Sequence, residues 1–180
     1  MENSYTKIVL NDTNWHNRIH ALEHIHDQEV LFKVALKDYD YRIRSEAIKK
    51  ITSQNNLFEI SLKEKDTYVA CEAIKKIESP QKLKEIILKR TEQEIQNCAI
   101  LKISDEKTLK DLLNHKLHQA LICKIISLIS DETLLLDYAL NGLFLTRCEA
   151  IKRILKLNKP LSMCTLRQSN DYLVKQYLAK

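Results

Sequence analysis

The string EAIKKI occupies residues 46–51, recurs unchanged at 72–77 and returns as EAIKRI at 149–154. The first two copies are 26 residues apart, and that step organises most of the chain. One apolar column reads Ile25, Ile51, Ile77, Ile103, Ile129 and Leu155. A second reads Tyr5, Leu31, Leu57, Leu83, Leu109, Leu135 and Leu161, and a third Ile8, Val34, Ile60, Ile86, Leu112, Tyr138 and Cys164. Self-similarity at a fixed short period is the signature of a repeat architecture.

Each period divides into two short helical patterns. In DYRIRSEAIKKI, Ile43, Ala47, Ile48 and Ile51 fall on one stripe and predict a helix A. In NNLFEISLKEK, Leu57, Ile60 and Ser61 form the stripe of a helix B, with Phe58 and Leu62 on its flank. Asp27, Ser53, Ser79, Asp105 and Asp131 precede helix B in register as N-caps, and Pro80 takes a first helical position. Asn14, Asp40 and Asp66 precede helix A, with Glu92 a weaker member.

Helices of about ten residues are marginal alone in water, so each must bury its stripe on neighbours. The expected fold is therefore all-α, an α-solenoid over residues 1–180 with six stacked A–B pairs. YTKIVL at 5–10 reads as a half-unit at the start and DYLVKQYLA at 171–179 as a half-unit at the end. With helix axes about 8–10 Å apart, six pairs predict a rod of about 50–60 Å. The register slips once: Cys148, Ala150 and Ile154 come one position early, and Leu161 reads as back in phase.

One glycine and two prolines are too few for the hairpin turns of a sheet protein. Gly142 alone cannot supply a phosphate-cradling loop, and no Walker, dinucleotide, nucleophile-elbow or HExxH motif occurs. No catalytic, cofactor-binding or metal-binding residue is expected. Five scattered cysteines without a CxxC, and no leader or long apolar run, predict reduced thiols and a cytoplasmic, non-membrane protein. The net charge of +5 permits nucleic-acid contact without requiring it.

The chain resembles the HEAT-like α-solenoids, whose first helix often carries an apolar–Arg–x–x–Ala pattern after an Asp-containing turn. DYRIRSEAI carries Asp40, Ile43, Arg44 and Ala47; NWHNRIHAL keeps Arg18 and Ala21, and FLTRCEAI keeps Arg147 and Ala150. The other units have Ala70, Gln96 and Ile122 at the arginine position. The 26-residue period is shorter than the usual HEAT length and approaches the miniature HEAT-like repeats of some bacterial proteins. The resemblance implies a right-handed superhelix, a binding scaffold, and B helices lining a concave face.

Several residues are candidates for a role. Arg18, Arg44 and Arg147 read as a structural ladder, with Asp40 four residues before Arg44 as its partner and Asn14 in the same relation to Arg18. Cys71, Cys123 and Cys148 share a column with Ser45 and Asn97, which reads as small-residue packing, with Cys98 and Cys164 off it. His16, His20 and His24 follow one edge of the first helix A; His20 and His24 are spaced to clamp a metal across one helical turn given a third ligand, but a solvated edge is the preferred reading. Trp15, Asp12 and Arg18 give only a faint likeness to a glycosylase site. Among the helix-A cations, Lys50, Lys76 and Arg153 read as paired with Glu46, Glu72 and Glu149, which leaves Lys49, Lys75, Lys102 and Lys152 as a stripe.

On the B helices, Lys33, Lys37, Glu59, Lys63, Glu85, Lys89, Asp111 and His115 form the expected partner-binding groove. Glu59–Lys63, Glu85–Lys89 and Asp111–His115 are spaced as pairs there. The expected function is a monomeric, non-enzymatic scaffold for a protein or peptide. Nucleic acid bound by the lysine stripe is the alternative.

Overall fold

In the computed structural model residues 2–179 are described, and all of their regular structure is helical. Met1 and Lys180, which the expected domain also takes in, lie outside the described residues. The helices are α1 (Glu2–Asn11), α2 (Trp15–Glu23), α3 (Gln28–Lys37), α4 (Tyr41–Lys50), α5 (Gln54–Lys63), α6 (Thr67–Lys75), α7 (Pro80–Lys89) and α8 (Gln93–Lys102). They continue with α9 (Glu106–Leu112), α10 (Gln119–Ile126), α11 (Glu132–Asn141), α12 (Phe144–Leu157), α13 (Pro160–Gln168) and α14 (Tyr172–Leu178). The chain divides into two compact units, the first ending at Lys102 and the second beginning at Ile103.

Short side-chain oxygens start these helices. Asp27, Ser53, Ser79, Asp105 and Asp131 cap α3, α5, α7, α9 and α11, while Asn14, Asp40 and Asp66 cap α2, α4 and α6. Glu92 does not cap α8. Its carboxylate faces Arg90 at 2.8 Å, and that guanidinium holds its carboxyl at about 2, well below the usual range.

Within the first unit, α1, α3, α5 and α7 pack successively on one another, as do α2, α4, α6 and α8. Each odd-numbered helix also packs on the even-numbered one that follows it, giving two layers around one apolar seam. Ile25, Ile51 and Ile77, at the ends of successive A helices, are fully buried there with Leu31, Leu57 and Leu83. In the second unit α10, α12 and α14 pack in order, α11 packs on α13, and α11 lies against α12.

Two side-chain series tie neighbouring pairs together within each unit. At the first turn of a B helix, Gln28 bonds the Lys50 carbonyl and the Thr52 amide, and Gln54 bonds the Lys76 carbonyl and the Glu78 amide. Pro80 interrupts that series, and Glu106 resumes it in the second unit by accepting from the Ser130 and Asp131 amides. At the end of an A helix, Lys50 donates to the carbonyls of Leu22 and Glu23, and Lys76 to those of Ile48, Lys49 and Ile51. Arg153 does the same to Leu128 and Ile129. These cations close the open carbonyl end of an earlier helix, where positive charge is favoured.

The last pair departs from the expected register. Leu161 is 65% exposed and Cys164 is exposed, whereas Ser162 and Leu166 are fully buried. The cause is α12, which runs for 14 residues and ends on Asn158 in the left-handed conformation, φ 49°, before Pro160 opens α13. That extra length rotates α13 by one position. Gly142 sits in the tight turn before α12, where a Cβ would meet the Tyr138 carbonyl oxygen at 2.5 Å. Among the described residues, no helix is long and apolar enough to cross a membrane.

Candidate functional site

The ladder arginines are held by partners other than those expected. The Arg18 guanidinium makes a two-pronged ion pair with Asp38, at 2.8 and 3.0 Å, and donates to the Asp12 carbonyl and the Tyr39 hydroxyl. Arg44 pairs in the same way with Glu64, at 2.7 and 3.0 Å, and donates to the Asp38 carbonyl. Asn14 and Asp40 are occupied as caps, and Asp40 also accepts from Arg42, whose guanidinium keeps its carboxyl below the ordinary value. Each ladder arginine therefore joins the turn before its helix to the turn after the following one.

The pattern changes with the sequence. Ala70 replaces the arginine in α6, and Arg90 stands where Asp38 and Glu64 would lead one to expect an acid. Arg90 reaches back to the carbonyls of Ser61 and Glu64, and Gln96 donates to those of Ile87 and Arg90. In the second unit Arg147 donates to the Ala139 carbonyl and pairs with Asp171 at 2.6 Å, which holds the Asp171 carboxyl below its usual value.

The groove residues and the ladder come together along one edge of the first unit. A cavity of about 490 Å³ is lined by Val9, Leu10, Asp12, Arg18, Lys33, Val34, Lys37 and Tyr39. Another of about 410 Å³ is lined by Leu36, Lys37, Arg44, Lys63, Glu64 and Lys65. Lys37 and Asp38 border both. The ion pairs Arg18–Asp38 and Arg44–Glu64 each belong to one of these walls. Lys33, Lys37 and Lys65 are exposed, and among the described residues none of them is in an ion pair.

Further along the same layer, Lys63 pairs with Glu59 at 2.6 Å and Lys89 with Glu85 at 2.5 Å, as their spacing predicts. Asp111 and His115 belong to the second unit. Asp111 borders an open cavity of about 680 Å³ with Lys107, Lys110, Asp131 and Asp137. His115 lies in the turn beyond α9, which stops at Leu112, so the two residues do not share a helix face.

The expected lysine stripe on the A helices is largely neutralised. Lys49 pairs with Glu46 at 2.5 Å, Lys75 with Glu72 at 2.6 Å and Lys152 with Glu149 at 3.7 Å, all at a spacing of three. Lys50, Lys76 and Arg153, read from the sequence as the partners of those acids, bond helix-end carbonyls instead. The spacing of four goes unused because each of these cations reaches two or three open carbonyls at the end of an earlier helix, while the acid pairs with the lysine three residues on.

Other candidates are spoken for. The Trp15 ring lies under the Arg42 guanidinium at 3.9 Å and outside the cavity that Asp12 and Arg18 border, so the three form no common pocket. Cys71 and Cys98, on α6 and α8, stand side by side. Burial first, and the neighbouring Cys98 thiol second, push the Cys71 thiol up to about 12. A thiol that stays protonated near neutrality is a poor nucleophile.

What this edge can do chemically is bind, through mobile ammonium groups set around shallow, partly apolar hollows. Sequence reasoning missed the carboxylates that anchor it. The signal was present in the 26-residue column Asp38, Glu64, Arg90, whose change of sign coincides with the loss of arginine at Ala70. No protein-family model matches the chain, and neither a curated protein nor a solved structure matches it.

Proposed function

We propose that the chain is a HEAT-like solenoid of six helix pairs with a half-pair at each end, and that it acts as a non-enzymatic scaffold. Its ligand is an extended, acidic polypeptide segment laid along the edge formed by α3, α5 and their following turns. The observation that carries this reading is the set Lys33, Lys37 and Lys65, three unpaired exposed ammonium groups around two adjoining hollows, where Asp38 and Glu64 are already held by Arg18 and Arg44 and the Asp12 carboxylate by the Asn14 amide and the Asn17 side chain. Tyr39, 73% exposed beside the first hollow, adds an aromatic face for a side chain of the ligand. Paired charges at Glu59–Lys63 and Glu85–Lys89 extend the surface with mixed sign, which suits a polypeptide better than a uniform polyanion.

Selection of peptides from a random display library on the purified chain tests this. Acidic sequences should be enriched, and charge reversal at Lys33 and Lys37 together should abolish their capture while leaving the helical signal intact. Recovery of no peptide would sink the reading. So would tighter binding of a single-stranded oligonucleotide with a steep salt dependence, which would restore the nucleic-acid alternative.

A further inference from the structure

Three positions on the outer side of the A helices follow a rule that α2 breaks. Residues 46, 49 and 50 are Glu, Lys and Lys; residues 72, 75 and 76 are again Glu, Lys and Lys. In both, the first two make an ion pair and the third closes the preceding A helix. The equivalent residues at the end of α2 are His20, Glu23 and the C-cap His24. Among the described residues α2 is preceded by α1 alone, and position 24 bonds no helix-end carbonyl with its side chain. The His24 ring instead stacks on Tyr5 of α1, with centroids 4.3 Å apart and planes at 22°.

From this geometry we infer that His20, Glu23 and His24 bind a divalent transition metal ion of the zinc type. Their ligand atoms already lie within 4.8 Å of one another, and all three side chains are exposed. Two imidazoles four residues apart on one helix, with a carboxylate between them, are an N/O donor set that Zn²⁺ accepts, with water in the open position. Tetrahedral coordination brings such donor atoms to about 3.3–3.6 Å of one another, which modest rotation of surface side chains achieves. Tyr5 holds the His24 ring in place.

His16 is not part of the set. Its Nδ1 lies 3.3 Å from Asn14 Oδ1 and its ring packs on Trp15. The Lys50 ammonium, held on the carbonyls of Leu22 and Glu23, is a cation beside the site and weakens its hold on a second cation. The inference is independent of the peptide-binding reading, since it uses none of the residues of that edge.

The full-length chain with reduced cysteines is titrated with Zn²⁺ against a chromophoric chelator, and with Co²⁺ followed by its absorption spectrum. One equivalent of Zn²⁺ should bind at micromolar concentration. His20→Asn and His24→Asn should each weaken binding by about tenfold or more, His16→Asn should not, and the Co²⁺ complex should show no thiolate charge-transfer band. Unchanged affinity in both of the first two variants, absence of micromolar binding, or a thiolate band would overturn the assignment. Far-UV circular dichroism of each variant separates loss of the site from loss of fold.

Discussion

The side chains of Arg18 and Asp38 are 2% and 6% exposed, so their ion pair is isolated from water and satisfied by further bonds to Asp12 and Tyr39. Removing one member leaves the other charge buried, at a cost of about 3–5 kcal/mol. Arg18→Met should therefore lower the urea midpoint sharply, and the double variant Arg18→Met/Asp38→Leu should recover much of the loss. Equal destabilisation in both would refute the pairing argument. Glu92 behaves differently, because its carboxylate is 40% exposed. Its folded value of about 2 lies below the ordinary 4.5, so its contribution is complete above 4.5 and is lost as the pH falls toward 2. Screening holds that contribution below about 1 kcal/mol. Glu92→Gln should lower stability at neutral pH by less than about 1 kcal/mol, and urea denaturation should show the difference from the parent shrinking as the pH falls from 4.5 toward 2. The arginines themselves were legible from sequence, because their position recurs within one helix. Their acids were not, because Asp38 and Glu64 lie beyond the next helix, where local spacing says nothing about distance.

At the scale of the element, caps and stripes were readable because both depend on residues within a turn or two of each other. Asp66 before α6 and Ser79 before α7 needed only the preference of short oxygen-bearing side chains for open amides. Lys76 illustrates what was not readable. Spacing suggested a bond to Glu72, but its ammonium reaches three carbonyls around the end of α4. Lys76→Met should cost about 1.5–3 kcal/mol, the range for hydrogen bonds to a charged group. Lys75→Met removes only the exposed pair with Glu72 and should cost less than about 0.5 kcal/mol. Chemical denaturation of the two variants checks the contrast, and similar losses would show that the carbonyl bonds carry no weight. Likewise the extent of α12 was invisible to a column count, since four helical residues more than in α4 leave the apolar pattern intact while turning α13.

For the molecule as a whole, the period of 26 residues predicted an all-helical chain and located nearly every cap, because each pair repeats one solution to the same packing problem. The period also hides a polarity. Asp38 and Glu64 are acids facing arginines, whereas Arg90 occupies the same column with no arginine in α6 to face. Genetic exchange between the duplicated segments would thus produce two kinds of offspring of identical length. A chain that loses residues 26–51 sets Arg18 opposite Glu64 and keeps a salt link. A chain that loses residues 52–77 sets Arg44 opposite Arg90 and confronts two cations in a dry wall, which costs several kcal/mol. The first shortened protein should fold cooperatively and the second should not, and their thermal melts decide it. A repeated segment is for this reason not a spare part: its neighbours determine which copy can be discarded.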